Sequence, residues 1–319
     1  MIITGKSYSS VLECDRQPLD KKYIMSLSES AREDLIEPLF VYFRNIGWMY
    51  PEVTIDVLAK EYKRLIDYKP DLFSTILFNN SSVATKICKY FCNSFYLSTE
   101  RNKKTMEEVW NDDDLLRKLI RNRLALNWKI ESSSDVFAIS YRMMVQGMRS
   151  MRLVPSISIF KPDIAKYICM KYSSEGDIVG DYSAGFGGRL LGAVSCGRKY
   201  MGIDPLTVPE LQQMVEFFEF KDVTLIESGS ENYIGDENSL DLSFSSPPYY
   251  DQEFYSNDLT QAYNNGANYF YNTYWKKTLD NMKFMLKPGK WFGLNIKNNE
   301  MMLNMAINIF GDIVEKIEL

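Results

Sequence analysis

Six short apolar runs, separated by stretches of helical periodicity, fill the second half of this sequence. That alternation constrains the fold more than any other feature. The runs are "DIVGD" at Asp177–Asp181, "KYMGID" ending at Asp204, "DVTLIES", "LDLSFS", "WFGLNIK" and "IVEKIEL". Between them "GRLLGAVSC", "LTVPELQQMVEFFEF", "NYFYNTYWKKTLDNMKFML" and "NEMMLNMAINIF" repeat apolar residues at helix spacing. Parallel strands need long crossovers, usually helices, so the alternation predicts a doubly wound, mostly parallel α/β sheet.

The first ~150 residues read differently. "SESAREDLIEPLFVYFRNIGW" opens with Ser28 or Ser30 as caps, and "TIDVLAKEYKRLIDYK" stops at Pro70. "SSVATKICKYFCNSFYL" and "DDDLLRKLIRNRLALNW" follow, the latter with three aspartates suited to a helix N-terminus. This half is expected to be mainly helical. Pro155 and Pro162 in "VPSISIFKPD" mark the crossing, giving domains 1–154 and 155–319.

Composition removes whole classes of chemistry. The 319 residues contain no histidine, so Ser-His-Asp and Cys-His catalysis and His-ligated metals are excluded. None of the five cysteines forms a CxxC pair, and Cys88 and Cys92, four apart, share one helix face pointing inward. No segment is apolar for long enough to span a membrane and no signal-peptide pattern opens the chain, so a cytoplasmic protein is expected. The net charge is −5, yet Leu115–Met170 holds ten Lys or Arg against three Asp or Glu. Arg117 and Arg121 share a helical face flanked by Lys118 and Arg123, with Arg142, Arg149 and Arg152 further on. Such a band is a candidate grip for nucleic-acid phosphates. A solvated helix face is the plain alternative.

"DYSAGFGGRLLGA" follows the first predicted strand and opens a helix, the place where an open parallel sheet binds its ligand. Arg189-Leu190 stands where a P-loop needs Lys-Ser/Thr. Leu190 also occupies the third glycine position of a dinucleotide fingerprint, which weakens NAD. S-adenosylmethionine fits better. Asp181 would face its ammonium, Gly185 and Gly187 would make room, Asp204 would take the ribose hydroxyls, and Ser230 in "ESGSE" would meet the adenine.

At the end of the fourth predicted strand stands "SSPPYYD". Two prolines fix successive φ angles and leave carbonyls with no neighbouring N–H to compete for them. Ser246 adds a hydroxyl and Tyr249 an aromatic face. Acceptors that grip the N–H bonds of a base's exocyclic amine localise its delocalised lone pair for attack on a methyl sulfonium. That chemistry needs no histidine, metal or covalent nucleophile. A strand simply ended by Pro-Pro-Tyr is the structural alternative.

The pairing of "DYSAGFGG" with "SSPPYYD" resembles the S-adenosylmethionine-dependent amino-methyltransferases of nucleic acids, which act on adenine N6 or cytosine N4. "SAGFGGRLLGA", "GIDP" and "SPPYYDQEFYS" together are similar to DNA methyltransferases common in phages and bacteria. The resemblance covers roughly residues 155–319 and implies a Rossmann-like class I methyltransferase sheet. It implies Ser246, Pro247, Pro248 and Tyr249 as the catalytic motif. Phe160, Asp181, Ser183, Ala184, Gly185, Gly187, Asp204 and Ser230 would line the cofactor, with Pro162 beside its methionine end. It implies a DNA substrate whose base is flipped out, a grip from Arg117, Lys118, Arg121, Arg123, Arg149 and Arg152, and a cognate nuclease or recognition subunit as partner. The polar, aromatic loop after Tyr250 would close over the target. Ser246 departs from the Asp or Asn of most adenine-directed members, so the base stays open. The family also adds a last, antiparallel strand, which implies that the sequence stops one strand short. The same chemistry on RNA or a protein amide, and a catalytically silent DNA-binding subunit, are the alternatives.

Overall fold

A computed structural model describes residues 13–14, 17–18, 21–48, 50, 53–74, 82–125, 139, 141–155, 157–250, 253–297 and 299–318. The chain divides into two compact units, and the division is not a single cut. Residues 1–52 and 96–157 form one; residues 53–95 and 158–319 form the other.

The first unit is helical in its larger elements, with helices Ile36–Ile46, Met106–Asn111, Asp113–Ala125 and Tyr141–Ser150. Thr105 and Glu108 start the second of these with a reciprocal capping box. Phe43 and Tyr141 both pack on the buried ring of Trp110, at centroid distances of 5.5 and 4.9 Å. Gly147 lets helix Tyr141–Ser150 press against Leu119 and the stem of Arg123.

The second unit holds a five-stranded sheet. Its elements are α1 (Ile55–Asp67), α2 (Thr85–Phe91), α3 (Pro162–Tyr172), β1 (Ile178–Asp181), α4 (Gly188–Val194), β2 (Lys199–Ile203), α5 (Val208–Phe218), β3 (Val223–Ile226), β4 (Leu240–Ser245), α6 (Lys276–Met285), β5 (Leu286–Leu294) and α7 (Glu300–Phe310). The spatial order is β3-β2-β1-β4-β5, all parallel. The order reverses beside β1, so β1 and β4 flank the switch point where such sheets bind ligands. β4 is buried along its whole length, as a central parallel strand should be. One face carries an apolar cluster built from Leu240, Phe270, Trp275, Leu279 and Met302. On the other face α3 and α4 meet so closely that a Cβ at Gly192 would overlap Ala165.

Two sequence expectations differ. β5 begins at Leu286, five residues before "WFGLNIK", and its register against β4 shifts between Leu240 and Leu242. A bulge at Gly289 (φ +75°) absorbs the extra residues. The sixth run, "IVEKIEL", adds no strand to this sheet among the described residues. Val314 is exposed, and Glu315 is held by Lys171 Nζ and the Tyr172 hydroxyl. The pairing of this run among the described residues is limited to the bridge residue Glu318.

The segment 53–95 belongs with the sheet for a polar reason as well as an apolar one. Lys166 on α3 is buried, and its ammonium donates to the last carbonyls of α1, Leu65 O and Ile66 O, at 2.7 Å each. Tyr62 of α1 packs on Phe218 and Phe220 at 4.9 and 5.3 Å. Cys88 and Cys92 point inward as expected, and burial pushes the Cys88 thiol up to about 12. Among the described residues no helix is long and apolar enough to cross a membrane.

The α3–α4 contact gives a direct test. Gly192→Val would force branched carbons into Ala165 and the backbone at Pro162 and Lys166, and is expected to destabilise the unit by about 2 kcal/mol or more in urea unfolding.

Candidate active site

Local backbone chemistry shapes the turn after β1. Gly185 (φ +54°) and Gly187 (φ +80°) occupy left-handed conformations that disfavour side chains. A Cβ at Gly188 would overlap the carbonyl oxygen of Phe160. Gly187 then caps α4. The turn is stitched to β2: Ala184 N–H donates to Ile203 O (3.0 Å) and Gly185 N–H to Asp204 Oδ2 (3.0 Å). The other carboxylate oxygen of Asp204 accepts from Leu206 and Thr207 N–H, both at 2.9 Å, just ahead of α5. Half-buried, Asp204 sits at the strand end with one face turned to the glycine turn and one to a helix N-terminus.

Asp181 has another role than the one expected. It is 0% exposed, and both oxygens are taken. Oδ2 accepts from Arg189 Nε (2.7 Å) and Tyr200 OH (2.6 Å); Oδ1 accepts from Ser245 Oγ (2.9 Å) and Ser183 N–H (3.2 Å). A carboxylate closed in this way has no lone pair turned outward to a ligand's ammonium. It is the anchor of the site. Arg189 also grips the Ser183 carbonyl and lies over the Phe160 ring at 5.4 Å. Burial works against the guanidinium's charge, but Asp181, Tyr200 and Asp204 together hold the Arg189 pKa above its ordinary value. Burial, then Asp181, pushes the Tyr200 phenol well above its usual range.

At the end of β3 the short turn Ser230–Asn232 meets α6. The Ser230 hydroxyl is buried and bonded to Thr278 Oγ1 (2.8 Å), so only its backbone could face a ligand. Beside it Glu231 is 7% exposed. Its Oε1 accepts from Tyr269 OH (2.9 Å), while its Oε2 has no hydrogen-bond partner among the described residues. A buried acceptor without a partner is costly unless something else satisfies it. The π-helical turn Phe270–Trp275 brings the buried Tyr274 phenol against Ser183 and Ser230, and burial raises its pKa.

The proline corner closes the site at the end of β4. Pro247 is buried; Ser246, Pro248 and Tyr249 are half-buried. Among the described residues no donor reaches the carbonyls of Pro247 or Pro248. Ser246 Oγ accepts from Asn295 Nδ2 (2.9 Å), and the Tyr249 hydroxyl accepts from Lys297 N–H. Tyr250 turns the other way, packing on Phe270 and Tyr271 at 5.8 and 6.3 Å. Asp251 and Gln252, in the loop expected to close on the target, lie outside the described residues.

Thus Phe160, Asp181, Ser183, Ala184, Gly185, Gly187, Asp204, Ser230 and the Ser246–Tyr249 corner belong to one unit and one sheet edge or its immediate support. The basic band lies in the other unit, and it is not a free cationic face. Arg117 pairs with Glu37 (2.7 Å) and Arg121 with Glu33 (3.2 Å). Arg123 is only 4% exposed, so its expected phosphate contact is corrected to a packing role beneath Gly147. Lys118 and Arg152 are exposed and Arg149 half-buried; the Arg142 side chain is outside the described residues. Sequence reading missed Arg189, Tyr200, Glu231, Tyr274 and Asn295. Arg189 alone carried a signal, as the charge directly after the glycine pair.

No family model and no curated protein matches the sequence. Solved structures match part of the fold. The tRNA (m1A58) methyltransferase TrmI from Aquifex aeolicus is 13% identical, covering 48% of this chain and 54% of its own, with a TM-score of 0.35. Geranyl diphosphate C-methyltransferase from Streptomyces coelicolor is 10% identical over 46% and 58%, TM-score 0.34. Phosphoethanolamine N-methyltransferase 1 from Haemonchus contortus is 15% identical over 42% and 25%, TM-score 0.29. In each, the match spans less than two thirds of the solved chain. No relation of function follows from likeness at this level.

The anchor is testable. Arg189→Met should cost about 3–5 kcal/mol in urea unfolding, because it strands a buried carboxylate, and adding Asp181→Asn should recover part of that loss.

Proposed function

We propose that this protein transfers a methyl group from S-adenosylmethionine to the exocyclic amine of a flipped base in DNA, adenine N6 or cytosine N4. The observation that carries this reading is the Ser246–Tyr249 corner, whose proline carbonyls no described residue engages. Through Ser245 and Asp181 it is hydrogen-bonded to the glycine turn. An electrophile at the turn and a nucleophile at the corner would therefore be held by one rigid network.

The residues present fit the cofactor. Gly185 and Gly187 leave the turn bare of side chains, Asp204 stands half-buried at the next strand end, and Glu231 Oε2, which no described residue engages, stands at the third. In this reading Asp204 takes the ribose hydroxyls, and Glu231 takes an N–H of the adenine. When bound, the cofactor supplies an electrophilic methyl carbon on a sulfonium sulfur, which keeps the S–C bonding pair as it leaves. The protein's part is orientation and charge. A proline carbonyl of the corner, Pro247 O or Pro248 O, accepts one N–H of the amine and draws its lone pair out of the ring. As the new N–C bond forms, the nitrogen becomes strongly acidic and its surplus proton passes to water. Tyr249, its hydroxyl fixed by Lys297 N–H, offers a stacking face in one orientation. The exposed Lys118 and Arg152 are the proposed phosphate contacts of the helical unit.

Tritium from methyl-labelled S-adenosylmethionine should enter unmethylated DNA and appear as N6-methyldeoxyadenosine or N4-methyldeoxycytidine on nucleoside analysis. Label in RNA or protein alone would reassign the substrate, and no label anywhere would overturn the reading. Tyr249→Ala is expected to lower transfer about 100-fold while calorimetry finds cofactor affinity unchanged.

A further inference from the structure

β4 and β5 end side by side, and their last residues are bonded to each other. Asn295, the residue after β5, donates its backbone N–H to Ser245 O (2.9 Å) and its side-chain Nδ2 to Ser246 Oγ (2.9 Å). Two anchors fix the amide plane, so Oδ1 has a set direction. A primary amide donates twice and accepts twice, and a hydroxyl donates once and accepts twice. Among the described residues nothing donates to Asn295 Oδ1, and the Ser246 hydroxyl proton has no acceptor. Both residues are half-buried. The corner therefore presents one unmet acceptor and one unmet donor, side by side, from two neighbouring strands.

Resting on the amine-transfer reading, we propose that Asn295 and Ser246 together read the amidine edge of the target base. Asn295 Oδ1 accepts an N–H of the exocyclic amine, and the Ser246 hydroxyl donates to the adjacent ring nitrogen. Adenine offers that pair as N6–H and N1, cytosine as N4–H and N3. Thymine and guanine offer a carbonyl and a ring N–H in those places, so each polar group would meet its like. The assignment also gives Ser246 a role its own chemistry suits. With one lone pair already engaged by Asn295, its oxygen is a poor grip on an amine, whereas the sp2 oxygen of the amide is a strong one. Asn295 is thus a substrate-contacting residue contributed by the strand after the proline corner. It selects the class of base, while a proline carbonyl activates the nitrogen.

The test separates this inference from the activity it rests on. Binding of 5′-fluorescein single strands of deoxycytidine, deoxyadenosine or thymidine is followed by anisotropy, on protein saturated with S-adenosylhomocysteine. The wild type is expected to bind the deoxycytidine or the deoxyadenosine strand about tenfold more tightly than thymidine. Asn295→Ala should abolish that preference by weakening the favoured strand alone, and Asn295→Asp, which keeps an acceptor for the amine but captures the Ser246 proton with its second oxygen, should lower it only as far as Ser246→Ala does. Ser246→Ala should lower it about threefold, and decides the matter if Asn295→Ala does not fold. A wild type without preference, or an Asn295→Ala variant that keeps it, overturns the inference even if DNA is methylated. Preference without methyl transfer to any substrate sinks the transferase reading and leaves the edge reading standing.

Discussion

The Asp181 carboxylate holds the sheet's carboxyl edge in register with itself. It is the last residue of β1, and it bonds to β2 through Tyr200, to β4 through Ser245, and to α4 through Arg189. Three consecutive elements, β1, α4 and β2, and the distant β4 meet on two oxygens. A buried ion pair of this kind adds little net stability over an apolar substitute, but it tolerates few alternative arrangements. Its value here is positional. The glycine turn and the proline corner cannot drift apart without breaking the Ser245 hydrogen bond to this buried carboxylate.

Most of the fold was legible because it follows from local pattern. Four strands of the sheet lie where apolar runs predicted them, and the fifth overlaps its run from Trp291 to Leu294. "IVEKIEL" misled because strand character is necessary for pairing and not sufficient. Lys171 and Tyr172, far upstream, take Glu315 instead. The attachment of residues 53–95 to the sheet was equally hidden, since the bonds from Lys166 to Leu65 and Ile66 span a hundred positions.

The site shows the same split. Backbone requirements were readable: Gly185 and Gly187 take left-handed conformations that favour glycine, and Pro247 and Pro248 stand at the end of β4 as their positions in the sequence predict. Side-chain roles were less so. Asp181 has the right residue type in the right place, yet its partners make it structural, and only the packing of Arg189 and Tyr200 reveals that. Asn295 sits in an ordinary strand-end sequence, "GLNIK", and gains meaning only because β5 lies beside β4. In the helical unit the clustering of positive charge was correctly counted, but charge counting cannot see Glu33 and Glu37 waiting on a preceding segment.

The interleaving of the two units has a consequence for how the chain is made. Residues 53–95 leave the ribosome before any strand of their own unit exists. α1 can pack on α2 at once, but the carbonyls of Leu65 and Ile66 have no Lys166 to satisfy them until residues 96–157 have been synthesised. During that interval the segment is held without its sheet, the kind of incomplete packing that chaperones exist to protect.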